Sequence, residues 1–133
     1  ILNSVYAELS PDAEANGIVM EISAKHSVAF AKPDALKSVL QNLVLNAIEH
    51  ADCSKIWLRA YRKFDKCVIT VTDNGKGFGN QDVFRPYYSG NEGEGNIGLG
   101  LYICKSHIEA MNGTLAYEYT DHKLIFTITL PIA

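Results

Sequence analysis

The stretch "KCVITVTDNGKGFG", Lys66 to Gly79, governs how the rest of the chain is read. Its first half is rich in β-branched residues and reads as a strand. Its second half spends three glycines in seven residues and sets one carboxylate, Asp73, where the strand ends. Glycine permits positive φ and lets a backbone approach a ligand closely. The stretch is therefore either a plain DNG turn between strands or the floor of a site with an acceptor at its lip.

Outward from it, "KIWLRAYRKF" (55–64) is a second β-rich run, separated from the first by Asp65 and its neighbours, and the two are expected to pair as a hairpin. Upstream, "KPDALKSVLQNLVLNAIEHA" (32–51) is the clearest helix: Leu36, Val39, Leu40, Leu43, Val44, Ala47, Ile48 and Ala51 recur at three- and four-residue steps, and Pro33 fits its first turn. Before it, "IVMEIS" (18–23) alternates as a strand, "SVAF" (27–30) reads as another short one, and "NSVYAELSPDAEANG" (3–17) reads as a short or broken helix, restarted at Ser10 with Pro11 as its first helical residue and ended by Gly17.

Downstream, residues 74–100 hold most of the chain's ten glycines and no sustained period, the mark of a functional lid or a disordered segment. "LGLYICKSHIEAMNG" (99–113) returns to helical period, with Leu101, Ile103, Cys104, Ile108 and Met111 on or near one face and Gly113 as stop signal. "TLAYEY" and "KLIFTITLP" close the chain as strands, Pro131 ending the last. Helices and hairpin-linked strands together give an α+β class: a two-layer sandwich in which a mixed, mostly antiparallel sheet of about five strands is backed by about three helices.

At 133 residues, 47% apolar and 20% charged, residues 1–133 are expected to fold as one domain. A formal charge of −3 without a Lys/Arg run argues against nucleic acid as partner. Cys53, Cys67 and Cys104 show no CxxC spacing and read as reduced, mostly buried thiols. No apolar run is long enough to span a bilayer and no N-terminal signal is present, so the expectation is a cytoplasmic domain without membrane contact of its own. The chain opens on Ile1, which suggests a piece of a longer protein.

Three places carry chemistry. Asn42 and Asn46 lie four residues apart on the long helix, beside Val39 and Leu43. They are either a solvated helix edge or amide oxygens aimed at a ligand or a hard cation such as Mg²⁺. Asp73 would favour an adenine amino group over a guanine carbonyl, because an ionised carboxylate only accepts hydrogen bonds. "GNIGLGL" (95–101) runs straight into a helix, where free backbone N–H groups form a phosphate site unless the loop is only a flexible linker.

Their order and distances narrow the choice, with 27 residues from Asn46 to Asp73 and 25 from Asp73 to Gly98. From about Ile18 to Pro131 the chain resembles the ATP-binding catalytic domain of histidine kinases, in the superfamily shared with gyrase, mismatch-repair ATPases and the ninety-kilodalton chaperones. "QNLVLNAIEHA" looks like the N box, "DNGKGFG" the first glycine box, "VFRPYYS" the aromatic box and "GLGLYICK" the second glycine box.

The resemblance implies that Asp73 takes the adenine amino group while Gly75 and Gly77 let the ring lie on the backbone. It implies that Asn46 holds Mg²⁺ with Asn42 assisting, and that amides near Gly98 and Gly100 bind phosphate. Phe84, Tyr87 and Tyr88 would belong to the root of a lid running from about Arg85 to Ile97. Glu49, His50, Leu99, Leu101, Lys105 and Thr127 complete the residues that the resemblance sets around Mg-ATP. The acceptor it implies is a His on a separate dimerisation domain of the same kinase, with a response regulator downstream and this piece a monomer. None of His26, His50, His107 and His122 sits in the acceptor's signature.

Hydrolysing members of the superfamily carry Glu where this chain has Asn42, and an amide cannot act as a general base. Rapid ATP hydrolysis is therefore not expected. Many relatives carry Lys where Glu49 stands and a cation in the lid, where residues 89–97 offer Glu92 and Glu94 instead; Lys123 and Leu124 replace the usual Gly-Thr. Alternative readings are a nucleotide-binding regulatory module of the same fold, an anti-sigma-factor serine kinase, and a contact-making scaffold.

Overall fold

Apolar side chains recurring from Leu36 to Ile48 build the longest helix, α2 (Pro33–His50), in the computed structural model, which describes residues 2–24, 33–50, 52–76 and 96–131. Leu36, Val39, Leu40, Leu43 and Val44 are all at most 1% exposed, so the stripe is a core face, and Pro33 opens the helix as expected. Ala51 and the expected strand at residues 27–30 lie outside the described residues.

The other elements are α1 (Leu2–Ala15), β1 (Val19–Ala24), β2 (Lys55–Lys63), β3 (Lys66–Asp73), α3 (Asn96–Ala110), β4 (Thr114–Thr120) and β5 (Lys123–Pro131). The strands form one sheet in the order β1-β2-β3-β5-β4. β1 runs parallel to β2, and the other three pairs are antiparallel. A parallel neighbour needs a crossover, and α2 supplies it. The three helices share one buried cluster with the inward side chains of the sheet. The α+β sandwich expected from the sequence is thus the observed fold.

Period-2 alternation divides the sheet's faces. Cys67, Ile69, Val71 and Asp73 of β3, and Leu124, Phe126, Ile128 and Leu130 of β5, are buried toward the helices. Trp57, Arg59, Thr70, Thr72, Lys123 and Ile125 line a shallow hollow on the opposite face. There Lys55 and Lys123 lie 5.2 and 4.9 Å from the Trp57 ring. Cys67 and Cys104 are buried thiols and Cys53 is half-buried, none in a disulfide.

Three local expectations need correction. α1 is one helix rather than a broken one, with Pro11 inside it on the exposed side. An interior proline costs about 3 kcal/mol, but Leu2, Val5, Leu9 and Ala13 bury a continuous stripe that holds the helix on both sides of it. Lys37 of α2 reaches Glu8 of α1 at 2.8 Å, which ties the two helices at their rim.

Gly17 ends α1 at φ 74°, with Ile18 N–H on the Ala13 carbonyl and Gly17 N–H on that of Glu14. α3 ends by the same pattern shifted one residue: Asn112, not Gly113, takes the left-handed conformation at φ 62°. Gly113 is required for space instead, because a Cβ there would lie 2.4 Å from Leu130 Cδ2 and 2.6 Å from the Thr129 carbonyl oxygen. Ile103 is 42% exposed, so among the described side chains of α3 the buried face is Leu101, Cys104 and Ile108. No helix among the described residues is long and apolar enough to cross a membrane.

Candidate functional site

Asp73 is the one buried charged side chain among the described residues, 3% exposed at the last position of β3. It is buried because its place in the alternation matches that of Ile69 and Val71, so the strand aims it at the helical layer. One row runs across the sheet here, Ile56 on β2, Asp73 on β3, Leu124 on β5 and Tyr119 on β4, each directly opposite the next. Burial pushes the Asp73 carboxyl up to about 6, opposed only by the Gly75 N–H, which donates to Oδ1 at 2.8 Å. Among the described residues no donor reaches the other oxygen. A buried carboxylate with one free acceptor can receive an amine from a ligand.

The residues after Asp73 are pinned on three sides. Asn74 Oδ1 accepts from the N–H groups of Ser54 and Lys55 at 2.9 and 3.0 Å, and its Nδ2 donates to Ser54 Oγ at 2.9 Å. The buried Gly75 has its carbonyl taken by the Tyr119 hydroxyl at 3.2 Å. Lys76 pairs with Asp52 at 3.5 Å. The half-buried Cys53 thiol donates to the Ala47 carbonyl and is pushed up to about 11, first by burial and then by the nearby negative charge of Asp73.

On α2, which packs against both β3 and α3, Asn46 is partly buried and its Nδ2 is buried without a partner. Leaving such a group unpaired costs about 1–3 kcal/mol, and it is the feature a bound ligand would satisfy. Turning the amide through 180° would present a carbonyl oxygen there instead, a ligand type that suits Mg²⁺. Asn42, one turn earlier, is exposed and has its amide beside the Cys104 thiol of α3, whose own donation goes to the Val39 carbonyl. Glu49 is exposed and His50 is the last residue of α2.

α3 begins at Asn96, ahead of the second glycine box. Its first-turn N–H groups, which find no carbonyl within a helix, are those of Asn96, Ile97 and Gly98; Leu99 and Gly100 follow in the bonded stretch. Lys105 stands partly buried two turns on. Two expectations are corrected. Leu101 is 0% exposed, so its side chain belongs to the core and is closed to any ligand. Thr127 stands directly opposite Thr70, on the sheet face away from Asp73, because strand side chains alternate. Gly77, Phe84, Tyr87, Tyr88 and the lid lie outside the described residues.

Asp73, Gly75 and Asn46 are therefore on the same side of the sheet, and Thr127 is not. The sequence reading missed Asn74 and Tyr119. The Asn was legible in principle, since its short amide mimics backbone groups in turns. The Tyr was not, because its contact lies 44 residues away in the chain and follows only from strand order.

Comparison with known proteins is consistent with this geometry. Residues 31–133 match the model of the histidine kinase-, DNA gyrase B-, and HSP90-like ATPase family. The sensor histidine kinase ZraS of Salmonella typhimurium is 35% identical over 133 residues, covering 93% of this chain and 28% of the relative. The alginate biosynthesis sensor protein KinB of Pseudomonas aeruginosa is 30% identical, covering 87% and 20%. The chain thus spans less than a third of the length of these curated relatives.

A nucleotide-free catalytic domain of the histidine kinase ThkA superposes with a TM-score of 0.84 at 25% identity, over 98% of this chain and 89% of that one. The family match starts past α1 and β1, yet both pack into the same buried cluster as α2. The chain belongs to the histidine kinase-, DNA gyrase B- and HSP90-like ATPase family, in the branch of ATP-binding domains carried by sensor histidine kinases.

Proposed function

We propose that this domain binds Mg-ATP and donates the γ-phosphate to a histidine on a separate dimerisation domain in two-component signalling. The observation that supports it most is Asp73: a buried carboxylate with one oxygen held by Gly75 N–H and the other without a donor among the described residues. A group so placed weakens the fold and is explained by a ligand amine. In this reading the open oxygen accepts the 6-amino group of adenine, and Gly77 with Phe84, Tyr87 and Tyr88 encloses the nucleotide.

Asn46 would hold Mg²⁺ through its amide oxygen, turned to the place where Nδ2 stands unpaired, with Asn42 beside it. The remaining ligands would be phosphate oxygens and water, as Mg²⁺ tolerates. When bound, the cation would neutralise charge on the phosphates. The first-turn amides of α3 would take a phosphate, with Lys105 and His50 near it. Asn42 offers no base for activating water, so the γ-phosphate would persist until the acceptor His arrives, and transfer would rest on positioning. A response regulator would then receive the phosphoryl group, and this piece would be a cytoplasmic monomer.

The test is calorimetric titration with ATP and GTP, with and without Mg²⁺, on the wild type and Asp73→Asn, followed by transfer to a His-bearing dimerisation domain. Mg²⁺-dependent preference for ATP that collapses in the variant supports the site. A chain that binds neither ATP nor GTP sinks it. ATP binding without transfer would favour the regulatory module, a reading in line with Glu92 and Glu94 in the lid region.

A further inference from the structure

We propose that Tyr119 is a positioning residue for adenine recognition: by holding the Gly75 carbonyl it fixes the Gly75 N–H on Asp73 and so aims the carboxylate's open oxygen at the ligand. The inference rests on the nucleotide reading above and adds a residue to it. Gly75 is gripped at both of its polar groups, its N–H on Asp73 Oδ1 at 2.8 Å and its carbonyl under the Tyr119 hydroxyl at 3.2 Å. A glycine has the widest backbone freedom of any residue, so a Gly75 released at its carbonyl is free to turn its peptides and withdraw the N–H from Asp73. The carboxylate then loses the one bond by which the described residues orient it.

Strand order makes this contact available. Tyr119, Leu124 and Asp73 stand in one row across three strands, and Leu124, 2% exposed, has no polar group with which to orient the carboxylate. Tyr119 bridges past it from the edge strand, 45% exposed, as the one described side chain that reaches the glycine backbone beyond Asp73. Asn74 anchors its own residue to Ser54 and Lys55, and Lys76 is held by Asp52; neither constrains the Gly75 peptide from the β4 side.

Tyr119→Phe removes the hydroxyl and keeps the ring. Binding to the 133-residue chain is measured with ATP and with inosine triphosphate, which carries a carbonyl in place of the 6-amino group, in wild type, Tyr119→Phe, Asp73→Asn and the double variant. One lost hydrogen bond acting through Asp73 predicts about a three- to tenfold loss of ATP affinity. Inosine triphosphate affinity should be unchanged, and the Tyr119 effect should vanish in the Asp73→Asn background. Equal losses for both nucleotides, or an undiminished ATP preference in Tyr119→Phe, overturn this inference alone. A wild-type chain that binds ATP no better than inosine triphosphate overturns it together with the adenine reading.

Discussion

Replacing Asp73 by Asn should make the unliganded domain more stable while removing its preference for ATP. Burial raises the carboxyl from the 3.8 of a free aspartate to about 6. A group whose folded-state pKa is raised is easier to charge in the unfolded chain, so ionisation weakens the fold. The penalty is absent below pH about 3.8, grows as pH rises toward 6, and is complete above it. At about 1.4 kcal/mol per pKa unit it amounts to about 3 kcal/mol at pH 8.

Asn would keep an acceptor for the Gly75 N–H but set an NH₂ where the open oxygen was, at a cost of about 1–2 kcal/mol if that donor stays unpaired. The net gain is about 1–2 kcal/mol, or about 3–7 °C in Tm for a domain of this size. The assay is thermal unfolding of the wild type and Asp73→Asn without nucleotide at pH 8 and pH 4.5. The variant should be the more stable at pH 8 and lose most of its advantage at pH 4.5. A variant no more stable at pH 8, or equally favoured at both pH values, would refute the argument that Asp73 is held charged at the expense of the fold.

The other predictions concern the frame around it. Asn74→Ala removes three hydrogen bonds to Ser54 and Lys55 and should cost about 2–3 kcal/mol in urea unfolding; a loss below 0.5 would mean that water replaces them. Gly113→Ala forces a methyl against the Thr129 carbonyl oxygen and Leu130 and should cost about 1–3 kcal/mol by the same measurement, with an unchanged midpoint contradicting the packing. The β4–β5 turn sets both Asp121 and His122 at positive φ, 52° and 60°, where glycine suits the second position; His122→Gly should stabilise by about 0.5–1 kcal/mol, read as a higher Tm.

Much of this was legible in the chain itself. The apolar stripe from Leu36 to Ile48, the alternation of β2, β3 and β5, and the glycines after Asp73 specify local structure by spacing alone, because helices and strands repeat every 3.6 and 2 residues. The four boxes also carried the family. Pro11 misled, since its cost is local while the stripe of Leu2, Val5, Leu9 and Ala13 that overrides it is satisfied only against the rest of the core. Ile103 and Gly113 misled for a similar reason: which side of a helix is covered, and how close a neighbouring strand comes, are properties of packing.

Sequence by itself determined the long helix α2, the strands β2, β3 and β5, the α+β class and the carboxylate at the end of β3, because each follows from residues near one another in the chain. Tertiary structure alone decided that β5 lies between β3 and β4. That order sets Leu124 against Asp73, turns Thr127 to the far face and brings Tyr119 within reach of Gly75. Register and strand order are fixed by burying every inward side chain at once, a condition on the whole sheet that no single stretch carries.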